Sequence, residues 1–234
     1  MKKKQNKTRE MVKGVVQEIT PPVLMRGMTT VKRRLFKKPK GEERDAQYYD
    51  ELLDRVDHWR VHYTESHYYF LWTVVVDRLL RAGAKRILDI GCGPGQLACL
   101  IRDRGIPEYH GFDFSPKRVE KAQEVCPEFR FTAEDAFKTD LFTSYAYDTV
   151  LCTEFLEHVE RDLDVVEKIA PGTRVVATVP NFGGEQHVRH FKNVDEVRER
   201  YGRYFTDFTV DALLANQLGK TYFLMEGTKV QPAS

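Results

Sequence analysis

The sequence predicts an α/β fold, a doubly wound and mainly parallel sheet with helices on both faces, preceded by a helical lid. Three observations predict it. Short apolar segments alternate with helical ones between residues 86 and 180. A glycine-rich turn, Asp89-Ile-Gly-Cys-Gly-Pro-Gly95, joins the first of those strands to its helix. Acids stand at or just after the ends of later strands, as Asp113 and Asp135 do. Parallel neighbours need crossovers of a dozen residues or more, which these spacings provide.

The elements follow in order. Residues 1–45 read as a basic, partly helical appendage. Residues 1–40 hold 13 Lys/Arg against two acids, although the whole chain carries only +2, so the remainder is acidic. Met11, Val12, Val15, Val16 and Ile19 recur at helical spacing there, and Pro21-Pro22 breaks the segment. A domain spans 46–234. Its first part, 46–82, is a helical lid rich in aromatics, including Tyr48, Tyr49, Trp59, Tyr63, Tyr68, Tyr69 and Trp72. The α/β core spans 83–234, with strands at 86–90, 109–113, 129–132, 147–152 and 174–179. Helices are predicted at 96–104, 116–126 and 162–169, and 205–214 and 221–230 read as a closing strand pair.

Composition excludes several classes. Hydrophobic content of 41% and charged content of 31% fit a soluble globular chain. The apolar run 68–76 is too short to cross a bilayer, and the lysine-rich start has no uncharged apolar stretch of the secretory type. Cys92, Cys99, Cys126 and Cys152 show no CxxC pairing, which argues against a zinc knuckle or a disulfide framework and for a reducing cytoplasm. The basic arm adds two candidate contacts, an anionic membrane surface and RNA phosphate. Oligomeric state has no signal in the sequence.

In a doubly wound sheet, ligands bind beyond the carboxyl ends of the strands, where the first strand turns into its helix. Gly91, Gly93 and Gly95 occupy that turn, with Cys92 between them. A dinucleotide loop would read GxGxxG, but here the third glycine comes one residue early. Asp89 would repel a pyrophosphate and attract a cationic amino-acid moiety or sulfonium. Asp113, 24 residues on, is placed to accept ribose hydroxyls, with Phe112 and Phe114 available to an adenine. Asp135 is placed for the adenine amino group. This ordered set points to S-adenosylmethionine (SAM) rather than NAD.

On these motifs, residues ~84–180 resemble the class I SAM-dependent methyltransferase family. The resemblance implies a Rossmann-like, seven-stranded sheet, with Gly91 and Gly93 near the methionine portion, Asp113 on the ribose, and Asp135 with Ala136 on adenine. It further implies that the aromatic N-terminal helices cap the cofactor, with His62, Tyr63 and Tyr69 as lid candidates. Phe114, and Thr153 just after the fourth strand, complete the cofactor set.

The catalytic candidates are Glu154, Glu157 and His158, in Glu154-Phe-Leu-Glu157-His158 after the fourth strand. Spacings of three and four residues predict that one helical face presents all three. His158 is then a general base, or the three bind a divalent cation (Mg or Mn), with His187 or His190 as a further ligand. The pentad resembles that of ubiquinone-pathway O-methyltransferases and a metal-binding motif of small-RNA 2′-O-methyltransferases. Arg189 either pairs with an anionic acceptor or anchors its loop to Glu154, Glu157 or Asp162. The acceptor expected first is a small-molecule or glycan-like hydroxyl. RNA is the alternative, and a SAM-binding module without catalysis is the third reading.

Overall fold

The structure, a computed structural model, describes residues 41–231. The basic arm, for which membrane-surface and RNA contacts are expected, falls within residues 1–40 and so lies outside the described residues. Residues 41–45 pack on the domain: Glu42 N–H donates to the Glu185 carbonyl (3.1 Å), and Glu43 accepts from Glu160 N–H (2.8 Å). The packed unit thus begins before residue 46.

Seven strands form one sheet in the order β3-β2-β1-β4-β5-β7-β6. These are β1 (Arg86–Ile90), β2 (Glu108–Asp113), β3 (Arg130–Ala133), β4 (Thr149–Thr153), β5 (Arg174–Pro180), β6 (Phe205–Leu214) and β7 (Thr221–Lys229). The first five are parallel; β7 enters antiparallel between β5 and β6, which is the hairpin anticipated at the end of the chain. Alternation along the strands divides the core. Leu88, Ile90, Phe112 and Val150 feed one apolar cluster, while Ile87, Tyr109, Phe131 and Leu151 feed the other. A sheet buried on both faces explains why the parallel strands read as continuous apolar runs.

The helices are α1 (Ala46–Arg55), α2 (Tyr69–Arg81), α3 (Gln96–Asp103), α4 (Pro116–Val125), α5 (Leu141–Ser144), α6 (Asp162–Lys168) and α7 (Val194–Tyr201). Their starts are encoded locally. Asp45 caps α1 by accepting from Tyr48 N–H (2.9 Å), and Ser115 caps α4 with Pro116 in its first turn. Among the described residues, no helix is long and apolar enough to cross a membrane.

The lid is tied down by polar contacts. Asp50 on α1 accepts from Ser115 Oγ (2.5 Å) and Lys117 N–H (3.3 Å), and Asp54 pairs with Lys117 (2.7 Å). Gln96, the first residue of α3, donates its buried amide to the carbonyls of His58 (3.0 Å) and Val61 (2.7 Å). Sequence periodicity gave no hint of these cross-links, because each joins residues 35 or more positions apart.

Candidate active site

Two adjoining cavities open at the carboxyl ends of the parallel strands. The smaller, about 70 Å³, is walled by the glycine loop, Asp89, Gln96 and Thr153. The larger, about 440 Å³, runs from Asp113, Phe114, Asp135 and Ala136 to Glu154, His158 and His187. Trp59, Tyr68, Gly91, Arg118 and Glu154 border both.

The loop geometry explains its glycines. Gly91 (φ +73°) and Gly95 (φ +83°) occupy the left-handed region, and a Cβ would strike the Phe155 ring (2.6 Å) or Ala122 (2.8 Å) respectively. Gly93 instead faces open space, and its N–H donates to Asp113 (3.1 Å). Asp113 also accepts from Ser115 N–H (2.9 Å), so both carboxylate oxygens are fixed before any ligand arrives. Burial raises the Asp113 pKa despite Arg118 nearby and these two donors.

Asp89 is fully buried. Burial pushes its pKa up to about 7, against the lowering effect of a 2.5 Å hydrogen bond from Tyr109 OH. Its other oxygen, and the Gln96 carbonyl oxygen, are buried without a hydrogen-bond partner among the described residues. Two orphaned acceptors in one cavity suit a ligand that donates, such as an ammonium. The Cys92 thiol is held protonated by burial, so it contributes shape and no nucleophile.

The other predicted cofactor residues are divided. Phe114, 37% exposed, reaches the larger cavity and packs on Tyr49 (5.4 Å). Phe112 also borders the larger cavity, although its ring is buried edge-on against Phe142. Tyr63 lines neither cavity. Its hydroxyl donates to Asp103 (2.7 Å) at the far end of α3, and its ring lies tilted against Tyr69 (5.9 Å), while His62 caps the turn at Thr64. The lid residues that do face the cavities are Tyr49, Leu52, Trp59, Tyr68 and Trp72. Aromatic content marked the segment, but which rings face inward depends on turns at Asp57–Trp59 and Tyr63–Glu65 that interrupt the helical period.

The catalytic pentad departs from its predicted form. Residues 154–160 are a turn rather than a helix, and Glu154 sits at φ +51°, a left-handed conformation costly for a residue with a Cβ. Thr178 on β5 secures it from both sides, accepting from Glu154 N–H (3.0 Å) and donating to Glu154 Oε1 (3.0 Å). Glu157 is 0% exposed, and neither of its oxygens has a hydrogen-bond partner within the described residues under ordinary distance limits. Burial raises both carboxyls, Glu154 to about 8 against the lowering effects of Thr178 and Glu157, and Glu157 well above its ordinary value with the charge of Glu154 adding to burial, so the pair retains a proton at neutral pH.

His158 and His187 present matching faces. Nδ1 of each is 3.0 Å from a backbone carbonyl, of Gln186 and Phe182 respectively, which assigns the ring proton to Nδ1 and leaves Nε2 with a lone pair. Their rings meet edge-on at 4.8 Å, and His158 Nε2 lies 3.6 Å from Glu157. Burial, then His187, drives the His158 pKa down to about 3; burial also lowers His187. Ligand atoms of Glu157, His158 and His187 fall within 4.8 Å of one another, whereas Glu154 and His190 are outside that cluster. His190 lies beside Gly183 and is absent from the cavity wall. Arg189 turns away from the cavity. It donates to the carbonyls of Leu156, Val159 and Glu160 and pairs with Asp162 (3.3 Å), which anchors the turn that carries Glu157 and His158.

With this geometry in place, comparisons place the chain among known proteins. A family profile described as a methyltransferase domain matches residues 87–174. The ubiquinone biosynthesis O-methyltransferase of Paracidovorax citrulli (strain AAC00-1) is 31% identical over 102 residues, 41% of this chain and 42% of that protein. The enzyme of the same description from Aeromonas salmonicida (strain A449) is 35% identical over 105 residues, 42% and 44% of the two chains. The chain thus spans less than half the length of these relatives. Among solved structures, the [4+2]-cyclase SpnF superposes with a TM-score of 0.63 at 13% identity, over 82% of this chain and 99% of that one. The N-methyltransferase NodS from Bradyrhizobium japonicum WM9, in complex with S-adenosyl-l-homocysteine, gives 0.58 at 16% identity, over 70% and 88%. The solved structures establish the fold, and residues 87–174 match a methyltransferase domain.

Proposed function

We propose that the protein binds SAM and transfers its methyl group to the hydroxyl of a small phenolic molecule. The observation that carries this reading is the pairing of a loop-walled cavity with a larger one lined by a neutral, buried imidazole. SAM fits the residues present. The orphaned oxygens of Asp89 and Gln96 suit its ammonium, the open side of Gly93 admits backbone approach, and Asp113 takes the ribose. Asp135 and Ala136 lie at the end of the larger cavity available to adenine. SAM, when bound, supplies an electrophilic methyl on sulfur.

In the transfer the carbon–sulfur bond breaks with its electrons left on sulfur, and a carbon–oxygen bond forms. The acceptor's proton passes to His158 Nε2, whose lone pair is exposed because Nδ1 is engaged by Gln186. A base held this low favours an already acidic hydroxyl. Phenols titrate near ~10, as tyrosine does, whereas ordinary hydroxyls lie closer to water at ~15.7. A phenol therefore suits this site better than a glycan. The similarity to ubiquinone biosynthesis O-methyltransferases supports the same choice.

A second reading is favoured by the cluster of Glu157, His158 and His187. Both Nε2 lone pairs and two orphaned carboxylate oxygens form a donor set suited to a divalent cation, with each Nδ1 tied to a carbonyl as metal-ligating histidines commonly are. A cation held there would acidify an acceptor hydroxyl. Labelled SAM offered with catechol, a simple phenol and a hexose tests both readings. Transfer to the phenols that survives EDTA supports the base; loss in EDTA with rescue by Mg²⁺ or Mn²⁺ supports the cation. Transfer only to the hexose would overturn the phenol assignment, and no binding of S-adenosylhomocysteine would overturn the whole.

A further inference from the structure

Arg118 is unusual on three counts. It is 8% exposed, yet among the described residues no carboxylate lies within the 4.0 Å of an ion pair, and its Nε has no hydrogen-bond partner. It occupies the first turn of α4, where the helix's own N–H groups already make the field positive. Its guanidinium is instead held between two aromatic faces of the lid, 4.6 Å from the Tyr49 centroid and 5.1 Å from that of Trp59. Burying a permanent cation without a counterion is costly unless another anion completes the site. Arg118 borders both cavities, so its open side faces the space where donor and acceptor meet.

The other basic groups of the wall do not compete for an anion. Arg44 is paired with Glu42 (2.6 Å), and burial holds His158 and His187 neutral at pH 7. Acids, in contrast, surround the space: Asp89, Asp113, Glu154 and Asp135. One guanidinium sharing a cavity wall with the charged Asp135 accommodates a single negative charge more readily than a dianionic phosphate. The planar fork of arginine matches a carboxylate in two-point contact.

We infer that Arg118 forms a carboxylate-binding subsite at the junction of the two cavities. Resting on the proposed methyl transfer, this chemistry has two sources: the α-carboxylate of the methyl donor, or a carboxylate carried by the acceptor.

Titration calorimetry on the full chain distinguishes them. The probes are S-adenosylhomocysteine against 5′-methylthioadenosine, which lacks the carboxylate, and, on the S-adenosylhomocysteine-saturated protein, 3,4-dihydroxybenzoate against catechol. If the donor supplies the anion, Arg118→Met weakens S-adenosylhomocysteine about 10- to 100-fold and leaves 5′-methylthioadenosine within about threefold. If the acceptor supplies it, the same loss falls on 3,4-dihydroxybenzoate and spares catechol and the nucleoside. Arg118→Lys, which keeps the charge without the fork, should recover part of either loss. Should Arg118→Met fail to fold, the Lys variant and the wild-type preference for each carboxylate over its neutral partner still decide. Equal wild-type affinity within both pairs, or a folded Met variant that retains both preferences, overturns the inference while leaving methyl transfer standing. A wild-type protein that binds no S-adenosylhomocysteine removes both.

Discussion

The donor and acceptor halves of this site are built by different means. The donor half is local and made largely of backbone: glycines at φ +73°, +57° and +83°, and an aspartate fixed by Gly93 and Ser115 N–H groups. The acceptor half is assembled across long separations from buried side chains that titrate. Glu154 leans on Thr178, 24 residues away, and His158 on Gln186, 28 away. One half fixes shape before a ligand arrives; the other fixes protonation. Damage to the first should therefore appear as lost affinity, and damage to the second as lost turnover.

The sharpest break between the halves is His158→Ala. Removal of a positioned general base costs about 10²- to 10⁴-fold in kcat, with S-adenosylhomocysteine affinity little changed by calorimetry. Rates of wild type should also show no protonation step near pH 6.5, because burial holds the imidazole neutral down to about 3. A large loss of donor affinity in this variant would mean that the halves are not separable. Asp113→Ala is the mirror experiment. It removes the acceptor proposed for the ribose and the clamp on Gly93, so S-adenosylhomocysteine should weaken about 10- to 100-fold, while kcat at saturating SAM falls much less. Steady-state kinetics at several SAM concentrations would separate the two effects.

The same contrast explains what could be read from the chain. The glycine loop, Asp113 and the succession of strands β1 to β5 along the chain follow from periodicity and turn chemistry within short windows. The pentad's residue types were equally visible, but its helical conformation was not correct. A left-handed Glu154, supported by Thr178 on the neighbouring strand, breaks the spacing argument at its first residue. The choice of His187 over His190 likewise depends on a loop whose register is set by hydrogen bonds from Val188 and Arg189 N–H to the Glu157 carbonyl. Arg118 carried no signal at all, since a surface-type residue in an amphipathic helix gives no sign that lid aromatics will cover it.

A smaller effect probes Asp89, a donor-side residue whose pKa is brought close to neutrality. Asp89 has its pKa raised from 3.8 to about 7, so between those values the folded chain keeps a proton that the unfolded chain has released. Its contribution to stability is thus present below pH 4 and lost as pH rises toward 7. A ligand ammonium beside the unpartnered oxygen favours the carboxylate, which gives binding the opposite slope. S-adenosylhomocysteine should bind more tightly at pH 8 than at pH 6, by up to about tenfold, and Asp89→Asn should flatten that slope. A slope unchanged in the Asn variant would place the titrating group elsewhere.

The smallest effect concerns the lid, where sequence and structure disagree about which aromatic ring matters. Tyr63 spends its hydroxyl on Asp103, at the end of α3 away from the cavities. That bond is with an exposed carboxylate, so Tyr63→Phe should cost about 0.5–1.5 kcal/mol of stability and lower the melting temperature by a few degrees. Donor affinity should stay within about twofold, because the lost bond touches neither cavity wall. Trp59→Ala offers the contrast, since that ring borders both cavities and stacks on Arg118. If Tyr63→Phe weakens S-adenosylhomocysteine as much as Trp59→Ala does, the lid must close as one rigid piece, and a hydroxyl at its hinge would then control the donor half as firmly as a ring at its rim.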